Sequence, residues 1–153
     1  MSVHAVSEIV IGRPRTAVAA FASDPRNDMR WIQAFVRVDA PNELPLRAGS
    51  QVTRVARFLG REFEYVLKIV EHQPGRRLAM RAVRGPFPMN VTYEFDDVAD
   101  GTRMRIINSG NAAGFYRLAA PLMSRMVKMN VDKDLARLKA ILEATRPSPA
   151  RAA

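Results

Sequence analysis

Four polar residues, Arg54, Tyr65, Tyr93 and Asn108, occupy strand positions with an apolar residue two positions away, such as Val52, Phe63, Val91 and Ile106. Residues i and i+2 of a strand share a face. Tyr65 and Tyr93 are therefore expected to point the same way as Phe63, Leu67, Met80, Met89, Val91, Met104 and Ile106. Asn108 joins them opposite Val91, and Arg54 does so if the hairpin register between its strand and the next holds. Such groups can polarise a carbonyl, move a proton or hold a polar head group. A buried Arg54 would need an acidic partner or an anionic ligand, such as a fatty acid or a phenolate. Each residue also has a plain structural use. Tyrosine hydroxyls anchor to backbone or water, Asn108 can cap a neighbouring backbone group, and a bulge can turn Arg54 outward. Arg84 shares the parity at a strand end, where it can snorkel to the rim, and Tyr116 lies near the start of the last helix.

A catalytic set is harder to assemble. His4 and His72 fall at strand ends, and Glu62, Glu64 and Glu94 fall on the outer face. No nucleophile beside a base is visible, and HExxH, P-loop and GxGxxG motifs are absent. With no cysteine and two histidines, thiolate chemistry and a His-rich metal site have little material. We assign no catalytic residue, no cofactor and no metal site from the sequence, and binding is favoured over catalysis.

The elements that must position these residues follow from periodicity. Residues 4–11 alternate as a first strand, and Gly12-Arg13-Pro14 ends it. Pro14 suits the first turn of a helix whose apolar face is Val18, Phe21 and Ala22. Asp24-Pro25 starts a second short helix that ends near Trp31. Strands are expected at 35–39, 51–59, 62–71, 78–84, 87–96 and 103–111. Gly60-Arg61 reads as a two-residue hairpin, setting Phe58 opposite Phe63 and Arg57 opposite Glu64. Phe95 opposite Met104 sets Arg105 against Glu94 and Arg103 against Asp96 on the outer face. Residues 115–145 read as a helix and 146–153 as a disordered tail. The order β-α-α-β6-α is an α+β fold, in one domain spanning 1–145.

The last helix has two apolar stripes. At 100° per residue, Phe115, Leu118, Leu122, Met126 and Met129 lie within about 80° of arc. Val127, Val131, Leu135, Leu138 and Leu142 form a second stripe on nearly the opposite side. A straight surface helix needs one stripe, so either the helix breaks near Pro121 or its first half is apolar on two sides. The second stripe suits packing on the sheet; the first, with Met123 at its edge, suits a cavity, a lid or a partner surface.

Net charge is +9, yet cross-strand pairing accounts for much of the arginine as a solvated outer face. No basic run with interleaved aromatics appears, so nucleic acid is not expected. Peripheral contact with an anionic membrane stays open, as do monomer and homodimer. No apolar run approaches a membrane span and the N-terminus lacks signal-peptide features, so a cytoplasmic protein is the expectation.

Four stretches give the chain a resemblance. They are IGRPRTAVAAFASDP (11–25), MRWIQAFVRV (29–38), the strand–turn cadence of 49–95 with its GPFP break, and GTRMRIINSG followed by DLARLKAIL. In order and spacing the chain resembles the START-like (SRPBCC) superfamily of helix-grip proteins, in its polyketide cyclase/dehydrase and lipid-transport group, over about residues 3–144. The resemblance implies a seven-stranded antiparallel sheet curled around the C-terminal helix, with an apolar cavity between them that the methionines line or gate. The residues expected at a ligand are Trp31, Arg54, Phe63, Tyr65 and Leu67, then Met80, Met89, Val91 and Tyr93, then Met104, Ile106 and Asn108, and on the helix Leu122, Met126 and Met129. A carrier or sensor of a lipid, polyketide, quinone or aromatic compound is the first reading. A polyketide cyclase, aromatase or dehydratase is the second, and an interaction protein meeting a partner or membrane is the third.

Overall fold

Alternation of apolar and polar residues builds most of this molecule, and glycines mark the turns. The structure is a computed structural model that describes residues 2–58, 60–86, 88–111 and 120–145. The tail expected at 146–153 and the residues Phe115, Tyr116 and Leu118, expected in the last helix, lie outside the described residues, as does Phe87. Strand β1 (Ser2–Ile11) is followed by helix α1 (Arg15–Ala22), a 3-10 turn (Pro25–Asn27) and the short helix α2 (Asp28–Trp31). Then come β2 (Phe35–Asp39), β3 (Gln51–Phe58), β4 (Arg61–Gln73), β5 (Arg77–Arg84), β6 (Met89–Val98), β7 (Gly101–Asn111) and α3 (Ala120–Ala144). The strands form one seven-stranded antiparallel sheet in the order β1-β7-β6-β5-β4-β3-β2. This is the helix-grip architecture expected above.

The two short helices start where expected. Pro14 caps α1, and the Asp24 side chain accepts from the Arg26 amide ahead of Pro25. Together they carry the chain from one sheet edge, β1, to the other, β2.

One pairing differs from the sequence reading. Phe58 lies opposite Arg61, Ala56 opposite Phe63 and Arg57 opposite Glu62. Gly60 takes the left-handed turn position at φ +76, which places the two-residue loop one residue earlier. The pairing moves along the strand by two positions, so every side chain keeps its face, Arg54 included. The β6–β7 register is as expected, with Phe95 opposite Met104. Outer-face arginines do find acids: Arg105 lies 3.1 Å from Glu8 and Arg77 2.6 Å from Glu94. Bulges at Val66/Leu67 and Ile69/Glu71 bend β4 and help curl the sheet.

Helix α3 packs along β1 and covers its free edge, a common way to blunt unpaired strand groups. Ser124 Oγ accepts from the His4 amide at 3.1 Å, Glu143 accepts from the Gly12 amide at 2.7 Å, and Lys139 donates to the Val10 carbonyl at 2.7 Å. Leu135, Leu138 and Leu142 of its second stripe are buried with Ile11, Val18, Trp31, Phe95 and Met104. The helix is continuous from Ala120, and Pro121 sits in the first turn of the described helix, where a missing N–H costs little.

The two-stripe reading needs correction. Leu122 and Met129 are 59% and 53% exposed. The face turned to the sheet runs between the stripes, so Met129 points away from it. Replacing Leu138 with alanine should cost about 2–5 kcal/mol in urea unfolding, whereas Met129→Ala should change stability by about 0.5 kcal/mol or less.

Candidate functional site

Between the concave face of the sheet and the first half of α3 lies a cavity of about 560 Å³. It exists because the second half of α3 is held down while the first half stands off the sheet. Leucines hold the second half, together with a polar clamp. Asp134 accepts from the Gln33 amide at 3.2 Å, and Arg137 donates to the Trp31 carbonyl at 2.8 Å and to the Gln33 side chain at 3.1 Å. One turn earlier the helix offers Met123, Met126, Val127, Asn130 and Val131 to the cavity, with the more exposed Leu122 at its edge. Counting 100° per residue, these five cover about 140° of arc, centred between the two sequence stripes.

Thirteen of the fifteen residues expected at a ligand line this cavity: Trp31, Arg54, Phe63, Tyr65, Leu67, Met80, Met89, Val91, Tyr93, Ile106, Asn108, Leu122 and Met126. Met104 and Met129 do not. Met104 has the right parity but is fully buried in the core with Leu135 and Leu138, two residues beyond Ile106. Met129 faces outward. Arg84 is exposed at the end of β5.

The buried end of the cavity is polar. Arg54, 3% exposed, reaches Asp28 of α2, 1% exposed, with Nε–Oδ2 at 2.8 Å and Nη2–Oδ2 at 2.7 Å. The guanidinium also lies over the Phe35 ring, 5.6 Å from its centre, and among the described residues Nη1 reaches only a sulfur, Met80 Sδ, at 3.4 Å. The acidic partner that a buried Arg54 demands is thus inside the chain. Asp28 stands behind Arg54 and does not line the cavity; Asp134 of α3 does. Trp31 packs edge-on against Tyr93, ring centres 6.0 Å apart. Two buried atoms, Asp28 Oδ1 and Trp31 Nε1, have no hydrogen-bond partner among the described residues.

The sequence reading missed Asp28 and Asp134 because it looked for carboxylates on the strands. A signal was present for each. Asp28 precedes Trp31 by three residues, nearly one helical turn. Asp134 adjoins Leu135 of the buried stripe.

Burial governs the charges here. It pushes the Asp28 carboxyl up to about 6, while Arg54 pulls it back down. Burial, with the nearby Asp28 charge, drives the Tyr93 phenol well above its ordinary value, so it stays protonated and able to donate. Burial also raises Asp134, against the hydrogen bonds from Gln33 and Arg137. Among the described residues, no group of three His, Cys, Asp or Glu side chains is placed to hold a metal ion. The site can therefore bury an apolar body against aromatic, methionine and aliphatic walls, with a polar head near Arg54, Tyr93 and Asp134.

Comparison with known proteins agrees with this geometry. The family described as polyketide cyclase / dehydrase and lipid transport matches residues 2–143. Among solved structures, the Thermus thermophilus protein TTHA0849 superposes with a TM-score of 0.80 at 18% identity, covering 94% of this chain and 99% of that one. The Zhui aromatase/cyclase from Streptomyces sp. R1128 gives 0.76 at 16% identity, covering 94% of each chain. A START superfamily protein from Mycobacterium smegmatis gives 0.75 at 8% identity, covering 94% of this chain and 99% of that one. At such identities the structural likeness speaks for the fold. No curated protein matches the sequence.

A carboxyl held above its ordinary value favours folding in its protonated form. The unfolded chain binds that proton only near pH 4, the folded chain already near 6, so stability from this group grows as pH falls between those values. Lowering the pH from about 7.5 to about 5 should therefore stabilise the protein relative to Asp28→Asn by about 1 kcal/mol, read from paired denaturation curves.

Proposed function

The chain belongs to the polyketide cyclase / dehydrase and lipid transport family, and from that membership we propose that it binds a hydrophobic small molecule between sheet and C-terminal helix, as a carrier or sensor. One observation carries this reading: a cavity of about 560 Å³, walled largely by apolar side chains and polar at its buried end. That volume lies within the roughly 300–1,000 Å³ usual for small-molecule sites. Burying apolar surface contributes about 25 cal/mol per Å², so a lipid, polyketide, quinone or aromatic body gains affinity from these walls without any charge pairing. Aromatic and methionine side chains suit ligands of irregular shape.

A second reading, polyketide cyclase-type turnover in the same cavity, is favoured by a different observation. The Arg54 guanidinium and the protonated Tyr93 hydroxyl share one end of the cavity, a pairing able to polarise a carbonyl. Against it, the described residues that line the cavity include no histidine, and their one carboxylate, Asp134, is occupied by Gln33 and Arg137. Binding is the reading we adopt.

Trp31 is the sole tryptophan and lines the cavity, so its emission reports occupancy directly. Titration with an apolar probe should shift or quench Trp31 fluorescence and saturate at one equivalent. Native mass spectrometry of freshly purified protein should show a one-to-one adduct of a few hundred daltons that is lost on denaturation. An unmodified mass together with flat Trp31 emission across lipid and aromatic probes would refute the binding reading. Conversion of a poly-ketone probe that disappears in Tyr93→Phe would instead establish the enzymatic one.

A further inference from the structure

We propose that the buried end of the cavity selects ligands by charge: it accepts an uncharged polar head, a carbonyl or a hydroxyl, and rejects a carboxylate as long as Asp28 neutralises Arg54. This rests on the binding reading above and specifies its ligand class.

The charges that meet at this end come from three elements. Strand β3 supplies Arg54, helix α2 supplies Asp28, and helix α3 supplies Asp134 with Arg137. Strand β6 adds Tyr93, which is neutral. Asp24, in the turn before α2, is already paired with Arg26 at 2.7 Å. Each arginine is matched by an aspartate, so the end carries no net charge. What faces the cavity at this end is less favourable still to an anion; the other arginine of the lining, Arg61, is exposed and lies four residues along β4 from Tyr65, the residue opposite Arg54. Asp134 lines it, whereas Arg137 is turned to the backbone of Trp31 and the side chain of Gln33.

A lone buried arginine would have pointed to an acidic ligand; a neutralised one points elsewhere. A carboxylate entering this end would be stripped of water and meet no unpaired cation among the described residues there, next to the Asp134 carboxylate. A carbonyl or hydroxyl oxygen carries no such penalty. It can accept from Arg54 Nη1, whose present partner is a thioether sulfur at 3.4 Å, a poor acceptor. Asp28 is thus a positioning residue. It touches no ligand, yet it holds the guanidinium in place and cancels its charge.

The test compares dodecanol with dodecanoate by Trp31 fluorescence at about pH 7.5, where the acid is ionised. The alcohol should bind at least about tenfold more tightly to the unaltered protein. In Asp28→Asn, which leaves Arg54 uncompensated, the preference should fall by about tenfold or reverse in favour of the acid. Asp134→Asn keeps the buried pair and should also narrow the preference, and it serves if Asp28→Asn does not fold. Tighter or equal binding of dodecanoate to the unaltered protein overturns the proposal, as does a preference that both variants leave unchanged. Binding of neither probe overturns the underlying binding reading instead.

Discussion

The buried contact between Arg54 and Asp28 joins parts of the chain that would otherwise have little reason to meet. It fastens α2 to the middle of β3, and α2 in turn presents Trp31 to the cavity. The carbonyl of that tryptophan receives Arg137, so the same short helix also positions α3. Removing water from two charges costs several kcal/mol, and mutual attraction at 2.7 Å offsets much of that. Among the described residues, Asp28 keeps one oxygen without a hydrogen-bond partner, and its carboxyl holds its proton more tightly than usual, signs that the offset is incomplete. A pair of this kind contributes geometry more than stability. It tolerates few alternative arrangements, because either partner alone would be a buried unpaired charge.

The cavity follows from how unevenly α3 is held. Its second half carries leucines into a core shared with α1, Trp31 and the lower sheet. Its first half offers methionines, valines and an asparagine, which fill space loosely. The sheet curls because its strands twist and because β4 carries two bulges, so a straight helix can follow the concave surface closely at one end only. Covering the edge of β1 fixes the helix direction, since Ser124, Lys139 and Glu143 meet the backbone of His4, Val10 and Gly12 in turn. Stability and binding are thereby assigned to different halves of one helix.

Positive charge, the most conspicuous feature of the composition, has little to do with the cavity. Arginines on the outer face are spread among Glu8, Glu94 and Asp96, where screening leaves such pairs worth about 1 kcal/mol or less each. Arg54 differs from them in burial alone. An arginine pair on the surface is decoration that salt can screen, whereas at the floor of an apolar cavity it decides which head groups are admitted.

Strand faces were legible in the sequence because their period is two and purely local. Tyr65 and Tyr93 could be assigned to the interior without knowing any partner strand; Asn108 and Arg54 needed a pairing, and because the β3–β4 hairpin differs by two positions, an even number, Arg54 keeps its face. The caps of the short helices were legible for the same reason, since Asp24 acts on its own next turn. Tertiary structure alone decided where the cavity ends, which separated Ile106 from Met104, and how α3 is rotated, which separated Met126 from Met129. It also supplied Asp28 to Arg54 across 26 residues of chain. Distances of that kind depend on how far a helix stands from a sheet, a sum over many contacts that no local periodicity encodes.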